Sequence, residues 1–453
     1  MDSQASLLRQ LQNPKLSRDQ RAELRCQLAK ELEESGDYEA ARRAMGDLWR
    51  RIGEHPQIEG LDPSIAAEVL LRAGVLTGWI GSCNQIADAQ ETAKNLISKA
   101  IATFESLGYI KKVLEAQTEL SLCYWRTGEY GEARIILQSV LSRLKVDSGL
   151  KARAILRTAI VEWGAAKYSD ALNILTDAAP LFEKVTNHVL KGSYHNQLAM
   201  VFRSLATSEK QEEYLDRALI EYSAASFHFE QAGHTRYRAN VENNLGFLFF
   251  KLSSFKDAHE HLDHARRLAV SLKDRVLTAR IDETRARTFL AQKRNAEADR
   301  AARNAINALE QGGQYSILAE ALITYGTALA RLGCYRQSLS AFQRAIEVAQ
   351  QTGALNRAGE AAATMMEELG EHLIADERQA DFQENVALVE EVHRFERDLI
   401  RQALIKAEGS VTRAARLLGV SHQRLIYIIK KRHKDLRSVR TPAISRLKSI
   451  IKK

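Results

Sequence analysis

Proline, paired cysteines and long apolar runs are all scarce in this chain of 453 residues. Five prolines and 24 glycines argue against a loop-rich or all-β protein. No stretch of about 18 uncharged apolar residues occurs, so no segment is expected to cross a bilayer. The start, MDSQASLLRQLQNPKLSRDQ, lacks a basic stretch followed by an apolar core, so no secretion signal is expected. The four cysteines, Cys26, Cys83, Cys123 and Cys334, form no CxxC pair and are expected to be reduced, buried thiols rather than metal ligands. HExxH, GxSxG and GxxxxGK[ST] are missing. His261 and His264 in HEHLDH have a ligand-like i, i+3 spacing, but the helical register assigns both to a solvent face. Trp49, Trp79, Trp125 and Trp163 read as packing residues of helices. No enzyme, metal or cofactor is indicated.

Charge is not spread evenly. From His393 to Lys453 there are 17 Lys and Arg against 4 Asp and Glu, while the rest of the chain holds 48 against 53. A basic end on a slightly acidic body points to a polyanion at that end, because neutralising phosphates releases condensed counterions.

The body repeats itself. TGEYGEARIIL, AKYSDALNIL, SSFKDAHEHL and LGCYRQSLSAF each read as a turn, an aromatic residue, then a small residue opening an amphipathic helix. That small marker recurs at Ala41, Ala93, Ala133, Ala171, Ala218, Ala258, Ala298 and Ser338, with spacings of 52, 40, 38, 47, 40, 40 and 40. Twelve residues earlier a second small residue recurs, at Ala29, Ser121, Ala159, Gly246, Ala286 and Gly326. Positions four and seven after the marker, such as Leu137 and Val140 or Phe342 and Ala345, continue one helix face. Each unit is then a helix hairpin whose two helices approach through small residues, and stacking buries the face that one hairpin cannot cover.

This pattern resembles the tetratricopeptide repeat from about Arg21 to Gly353, with a period nearer 40 than the usual value of about 34 and without the closing proline. The resemblance implies an all-α superhelix of about eight hairpins with a concave wall built by the first helix of each. Counting from the marker puts Ser193, Asn196, Asn240, Asn243, Arg280 and Arg287 on that wall, a polar set able to hold a peptide, a protein segment or a small acidic ligand.

The end of the chain has a different grammar. In GSVTRAARLLGVSHQRLIYIIKK, Ser410 can cap a helix whose inner face is Val411, Ala414, Ala415 and Leu418. Gly419 can take a positive φ and end it, and Val420 can fill the turn. Ser421 can cap a second helix with Leu425, Ile428 and Ile429 inward. Two helices meeting through Ala415 at a steep angle make a helix-turn-helix. The second helix would expose Ser421, His422, Gln423, Arg424, Tyr427, Lys430 and Lys431. Arg424 suits guanine and Gln423 adenine, whereas Thr412, Arg413, Arg416, Lys430, Lys431 and Arg432 suit phosphates.

From about Phe395 to His433 the chain resembles the Fis-type helix-turn-helix of bacterial regulators, with Ser410 and Arg424 in places where that family usually carries Asn and Thr. The resemblance implies double-stranded DNA as a partner and a homodimer, paired through a preceding helix with Val389, Val392, Leu399 and Ala403 on one stripe and Phe395 at its edge. The expected organisation is a repeat array over 1–353, capping and linker helices over 354–385, the DNA-binding module over 386–436 and a basic tail over 437–453. A cytoplasmic, nucleoid-associated transcription regulator whose array senses a signal is the leading expectation. A repeat scaffold or regulatory subunit whose basic end contacts RNA or an acidic partner stays open beside it.

Overall fold

The repeat register has a direct physical consequence: a residue on which two helices meet has no room for a side chain beyond a methyl or hydroxymethyl group. In the computed structural model, which describes residues 2–84, 86–144, 148–206, 211–310, 315–351, 354–380 and 388–439, every marker from Ala41 to Ser338 is fully buried. So are Ala29, Ser121, Ala159 and Ala286 on the opposing helices. At Gly246 a Cβ would lie 2.5 Å from Leu262 Cγ, so glycine is what lets these two helices touch. Where Ser338 replaces the marker alanine, its hydroxyl donates to the Gly326 carbonyl at 2.7 Å, leaving no buried polar atom unpaired there.

Among the described residues all regular structure is helical. After α1 (Asp2–Leu11) come eight hairpins. They are α2 (Arg18–Glu34) with α3 (Tyr38–Met45), α4 (Pro63–Asn84) with α5 (Ala89–Ser106), α6 (Ile110–Arg126) with α7 (Tyr130–Arg143), and α8 (Ser148–Gly164) with α9 (Tyr168–Lys184). The others are α10 (His188–Leu205) with α11 (Gln211–Gln231), α12 (Thr235–Lys251) with α13 (Phe255–Ser271), α14 (Arg275–Ala291) with α15 (Asn295–Leu309), and α16 (Tyr315–Arg331) with α17 (Tyr335–Gln351). Then follow α18 (Leu355–Ala380), α19 (Leu388–Lys406), α20 (Val411–Leu417), α21 (His422–Lys431) and a 3-10 turn at Lys434–Val439. These residues divide into two compact units, Met1–Ile281 and Asp282–Lys453.

The turn inside a hairpin places one residue in the left-handed region, which glycine adopts at least cost. Gly36, Gly128 and Gly333 do so with φ near +80°, but Ala166, Ser253 and Lys293 take the same role at φ 58–60°. The array accepts this strain because the flanking helices fix the turn from both sides.

Helix α4 is where the sequence-based expectation about membranes meets its hardest case. It is the one described helix long and apolar enough, by length and composition, to cross a bilayer, and 72% of its most apolar stretch is buried inside the fold. Arg72, in its middle, pairs with Glu33 of α2 at 3.0 Å and Glu68 at 3.2 Å, which marks α4 as a core helix. Two corrections concern single residues. Trp49 is buried but lies just beyond a 3-10 turn rather than in a repeat helix. Cys26 and Cys123 are buried, Cys83 is half-buried and Cys334 is exposed.

Within the first unit the array closes on itself. Tyr38 of the first hairpin and Tyr237 of the sixth bring their hydroxyls within 3.3 Å, and the Arg236 guanidinium lies 5.6 Å from the Tyr38 ring centroid. Gly36 leaves the space that the His234 ring fills, since a Cβ there would sit 2.3 Å from His234 Cε1. Buried and stacked 3.8 Å from the Tyr237 ring, His234 accepts from the Tyr237 backbone N–H, and burial, with Arg236 nearby, pushes it down to about 4. A histidine kept neutral by folding contributes stability above its ordinary range, and that contribution is lost as pH falls from about 6.5 towards 4. The first unit is therefore expected to lose on the order of 3 kcal/mol over that window. Melting curves of wild type and His234→Phe between pH 7 and pH 4.5 check this: the variant should show the shallower decline.

Candidate nucleic-acid interface and central cavity

The C-terminal module is built as its caps dictate. Ser410 Oγ accepts from the Arg413 N–H at 3.4 Å and Ser421 Oγ from the Arg424 N–H at 3.2 Å, so both short helices start on a satisfied serine. Gly419 has φ +67°, and the Val420 N–H returns to the Ala415 carbonyl at 3.0 Å, which closes the turn. Val411, Ala414, Ala415, Leu418, Leu425 and Ile429 are buried together, while Ile428 and Val420 are half-buried.

The proposed contact residues sort by their neighbours. Thr412, Arg413, Arg416, Ser421, His422, Gln423, Arg424, Tyr427, Lys430 and Lys431 are all exposed. Thr412 Oγ1 meets His422 Nδ1 at 3.2 Å and so ties α20 to α21. Arg413 pairs with Glu408 at 3.1 Å, and Arg432 with Glu396 at 3.3 Å. Among the described residues Arg416, Arg424, Lys430 and Lys431 have no carboxylate partner. They form the unpaired cationic face of the module.

Two anchors were not visible from local spacing. Glu396 on α19 receives both Arg432 and the buried His433, the latter at 2.7 Å, and Arg401 meets Asp435 at 3.5 Å. These pairs fasten the end of α21 and the following turn to α19, with Leu436 buried beneath. The α19 stripe read as a pairing surface is itself covered: Val392, Leu399 and Ala403 are buried inside the fold. The side chain of Val389 lies outside the described residues. So do 381–387, which the expected linker would occupy, and the tail from 440 onward.

Helix α18 lies against the turn of the module. A Cβ on Gly359 would meet the Leu418 carbonyl oxygen at 2.4 Å, and one on Gly419 would meet the Asn356 carbonyl oxygen at 3.7 Å. Beside this contact a cleft of about 450 Å³ opens between Glu360, Thr364 and Glu367 on one side and Ser421 and Arg424 on the other.

The second site is the interior of the first unit. A cavity of about 530 Å³ is lined by the first helices of successive hairpins, and Ser193, Asn196, Asn240, Asn243 and Arg280 all border it. Arg287 belongs to the second unit, where it pairs with Glu283 at 2.6 Å. Trp79, Trp125 and Trp163 also face the cavity, together with Arg126, Arg153, Arg157 and Arg203. Arg153 and Arg157 are engaged by Glu119 at 3.4 and 3.6 Å.

His261 and His264 do not stand on a purely solvent face. Both are half-buried and turn their Nδ1 atoms to the buried Glu242, at 2.8 and 3.4 Å. Ser226 donates to the same carboxylate. Among the described residues no group of three or more His, Cys, Asp and Glu side chains could hold a metal ion.

Residues 391–431 match the family model of the bacterial regulatory proteins of the Fis family. The C-terminal module is a Fis-type helix-turn-helix. The array shares its fold with solved helical-repeat proteins. One is the apo form of the quorum sensor NprR from B. thuringiensis, with a TM-score of 0.52 at 12% identity, covering 76% of this protein and 92% of that one. Another is the human IFIT1 dimer with PPP-AAAA, with a TM-score of 0.51 at 15% identity, covering 77% of this protein and 77% of that one. No curated protein matches the sequence. The protein is thus a tetratricopeptide-like all-α array carrying a Fis-type module.

Proposed function

We propose that this protein is a non-catalytic transcription regulator that binds double-stranded DNA in a sequence-dependent way through α21. The observation that carries the reading is the unpaired cationic face of α20 and α21 on a Fis-type module. Arg424 and Gln423 occupy the first turn of α21, from which side chains reach base edges in a major groove about 12 Å wide. Arg416, Lys430 and Lys431 are left to meet phosphates.

In this reading the array, residues 1–353, receives a signal in its cavity; residues 354–385 connect it to the DNA-binding module, 386–436, and the basic tail, 437–453, adds non-specific attraction to DNA. The likeness of the array to a quorum sensor favours a peptide or other small signal over a purely scaffolding role. The protein works in the cytoplasm on the nucleoid, as a homodimer whose paired α21 helices stand about 34 Å apart. Because the α19 stripe is covered inside the fold, pairing uses another face of the module.

Footprinting of the full-length protein on a selected operator tests the dimer: two protected half-sites one helical turn apart are expected, and a single protected half-site contradicts pairing. The scaffold reading predicts instead binding that is the same on every duplex and on RNA, falling steeply with salt.

A further inference from the structure

The cavity of the first unit contains groups that the fold itself leaves unanswered. Gln197 is 4% exposed and Asn243 8% exposed, yet Gln197 Nε2 and Asn243 Oδ1 have no hydrogen-bond partner. A buried amide atom left unpaired forfeits its hydration with nothing in return, so two bordering one cavity call for a ligand that pairs them. They stand on α10 and α12 and are of opposite kind, one donor and one acceptor. Arg126 borders the same cavity. Its guanidinium lies 4.1 Å from the Trp79 ring centroid, over a glycine, Gly78, whose Cβ would come within 3.1 Å of Nη1. No carboxylate pairs with it among the described residues. Burial, with Arg157 nearby, holds Arg126 below its ordinary range, the direction that an incoming anion would reverse.

We propose that the cavity binds an extended peptide, whose backbone carbonyl and amide groups pair with Gln197 Nε2 and Asn243 Oδ1 and whose carboxylate seats on Arg126. A peptide supplies acceptor and donor along one edge at about 3.3–3.6 Å per residue, which one small anion does not. Trp125 and Trp163 give its side chains an apolar wall. The inference rests on the signal-binding part of the regulator reading and adds the chemistry of the signal.

The test uses the immobilised full-length protein and three synthetic hexapeptide mixtures, with retained peptides read by mass spectrometry. One mixture has free C-termini and no acidic side chains. The second is amidated and contains one Asp or Glu, and the third is amidated and neutral. Retention of the first or second at least about tenfold above the third is expected, and which of the two is retained assigns the carboxylate to the peptide's C-terminus or to a side chain. Arg126→Gln should abolish that selectivity while keeping the fold, and Asn243→Leu should lower retention of every mixture. Equal retention of all three, or unchanged selectivity in Arg126→Gln, overturns the carboxylate seat. If ATP or inorganic pyrophosphate binds and no peptide does, the peptide is overturned as well. DNA binding is measured separately, so these failures leave it standing.

The contact between α18 and the module supports a second, independent inference. The cleft beside Arg424 is far too small for duplex DNA, and Glu360 and Glu367 present carboxylates on its opposite wall. We infer that docking of the Leu418–Gly419 turn on Gly359 holds the DNA-reading face in a closed state, and that DNA binding requires the module to leave α18. Gly359→Leu in the full-length protein inserts a side chain where Leu418 O now lies and should tighten binding to a 30-bp duplex about tenfold, as a docking equilibrium shifted by that factor would. Glu360→Gln with Glu367→Gln keeps side-chain size, gives up the Arg357–Glu360 ion pair of α18, and should tighten it by about two- to fivefold. Glu297→Gln with Glu347→Gln removes equal charge, and one ion pair with Arg294, at residues that do not line the cleft, and should not. Should Gly359→Leu fail to fold, the two charge pairs decide alone. Wild-type affinity in a folded Gly359→Leu, or equal effects of the two charge pairs, overturns the closed state.

Discussion

Arg424→Ala should cost the full-length protein roughly a 5- to 150-fold loss of preference for its operator over random duplex, the equivalent of one bidentate base contact worth about 1–3 kcal/mol. The Arg424 side chain is exposed, has no carboxylate partner among the described residues, and starts from a helix turn fixed by Ser421. Its removal disturbs no buried contact, so melting should not change. The comparison that gives this result meaning is Lys430→Ala with Lys431→Ala. Those residues sit a turn and more further along, where phosphate contact is expected. Their loss should weaken operator and random duplex alike and reduce the salt slope by about 2, whereas Arg424→Ala should change the ratio. Gel shifts at several salt concentrations read both quantities. A preserved ratio in Arg424→Ala would remove this residue from base reading.

Arg72→Met should destabilise the first unit by about 3–5 kcal/mol, the cost of breaking a buried ion pair from one side. Arg72 is 2% exposed and faces Glu33 at 3.0 Å, Glu68 at 3.2 Å and Glu115 at 3.6 Å. Against the cost of burial, Arg72 and Lys30 hold Glu115 down to about 2, while burial pushes Glu33 up to about 7 even beside Arg72. Without the guanidinium the Glu33 and Glu115 carboxylates rise. A raised carboxylate stabilises the fold only below its unfolded range, and that contribution disappears as pH rises through the folded value. The deficit of the variant should therefore grow between pH 5 and pH 8. Denaturant midpoints at the two pH values check it, and a loss under about 1 kcal/mol at pH 8 would mean that the surrounding lysines and arginines already neutralise the cluster.

What could be seen in the sequence follows from how local each constraint is. The marker alanines were legible because helix contact forbids anything larger, so the same small residue returns at nearly the same interval. The module was legible because Ser410, Gly419 and Ser421 are capping and turn residues whose preference is intrinsic. The cavity residues Ser193, Asn196, Asn240, Asn243 and Arg280 came out of the same register, and Arg287 did not join them because it lies beyond the first unit. Contacts between distant segments were not legible. Nothing near Gly36 announces that His234 will fill the space above it, and nothing near Gly359 announces the Leu418 carbonyl. The left-handed turns at Ala166, Ser253 and Lys293 were hidden for the opposite reason, since packing there overrides the residue preference. His261 and His264 were misjudged because the register gives a helix face but not the buried Glu242 that draws them inward.

The most direct test is selection of genomic DNA fragments by the full-length protein at about 150 mM salt, followed by gel shifts of the recovered sequences. Recovered fragments should share a short common motif, bind more tightly than random duplex, and lose that advantage with Arg424→Ala. Fragments without a common motif, held equally well by wild type and variant and displaced alike by salt, would contradict sequence reading by α21.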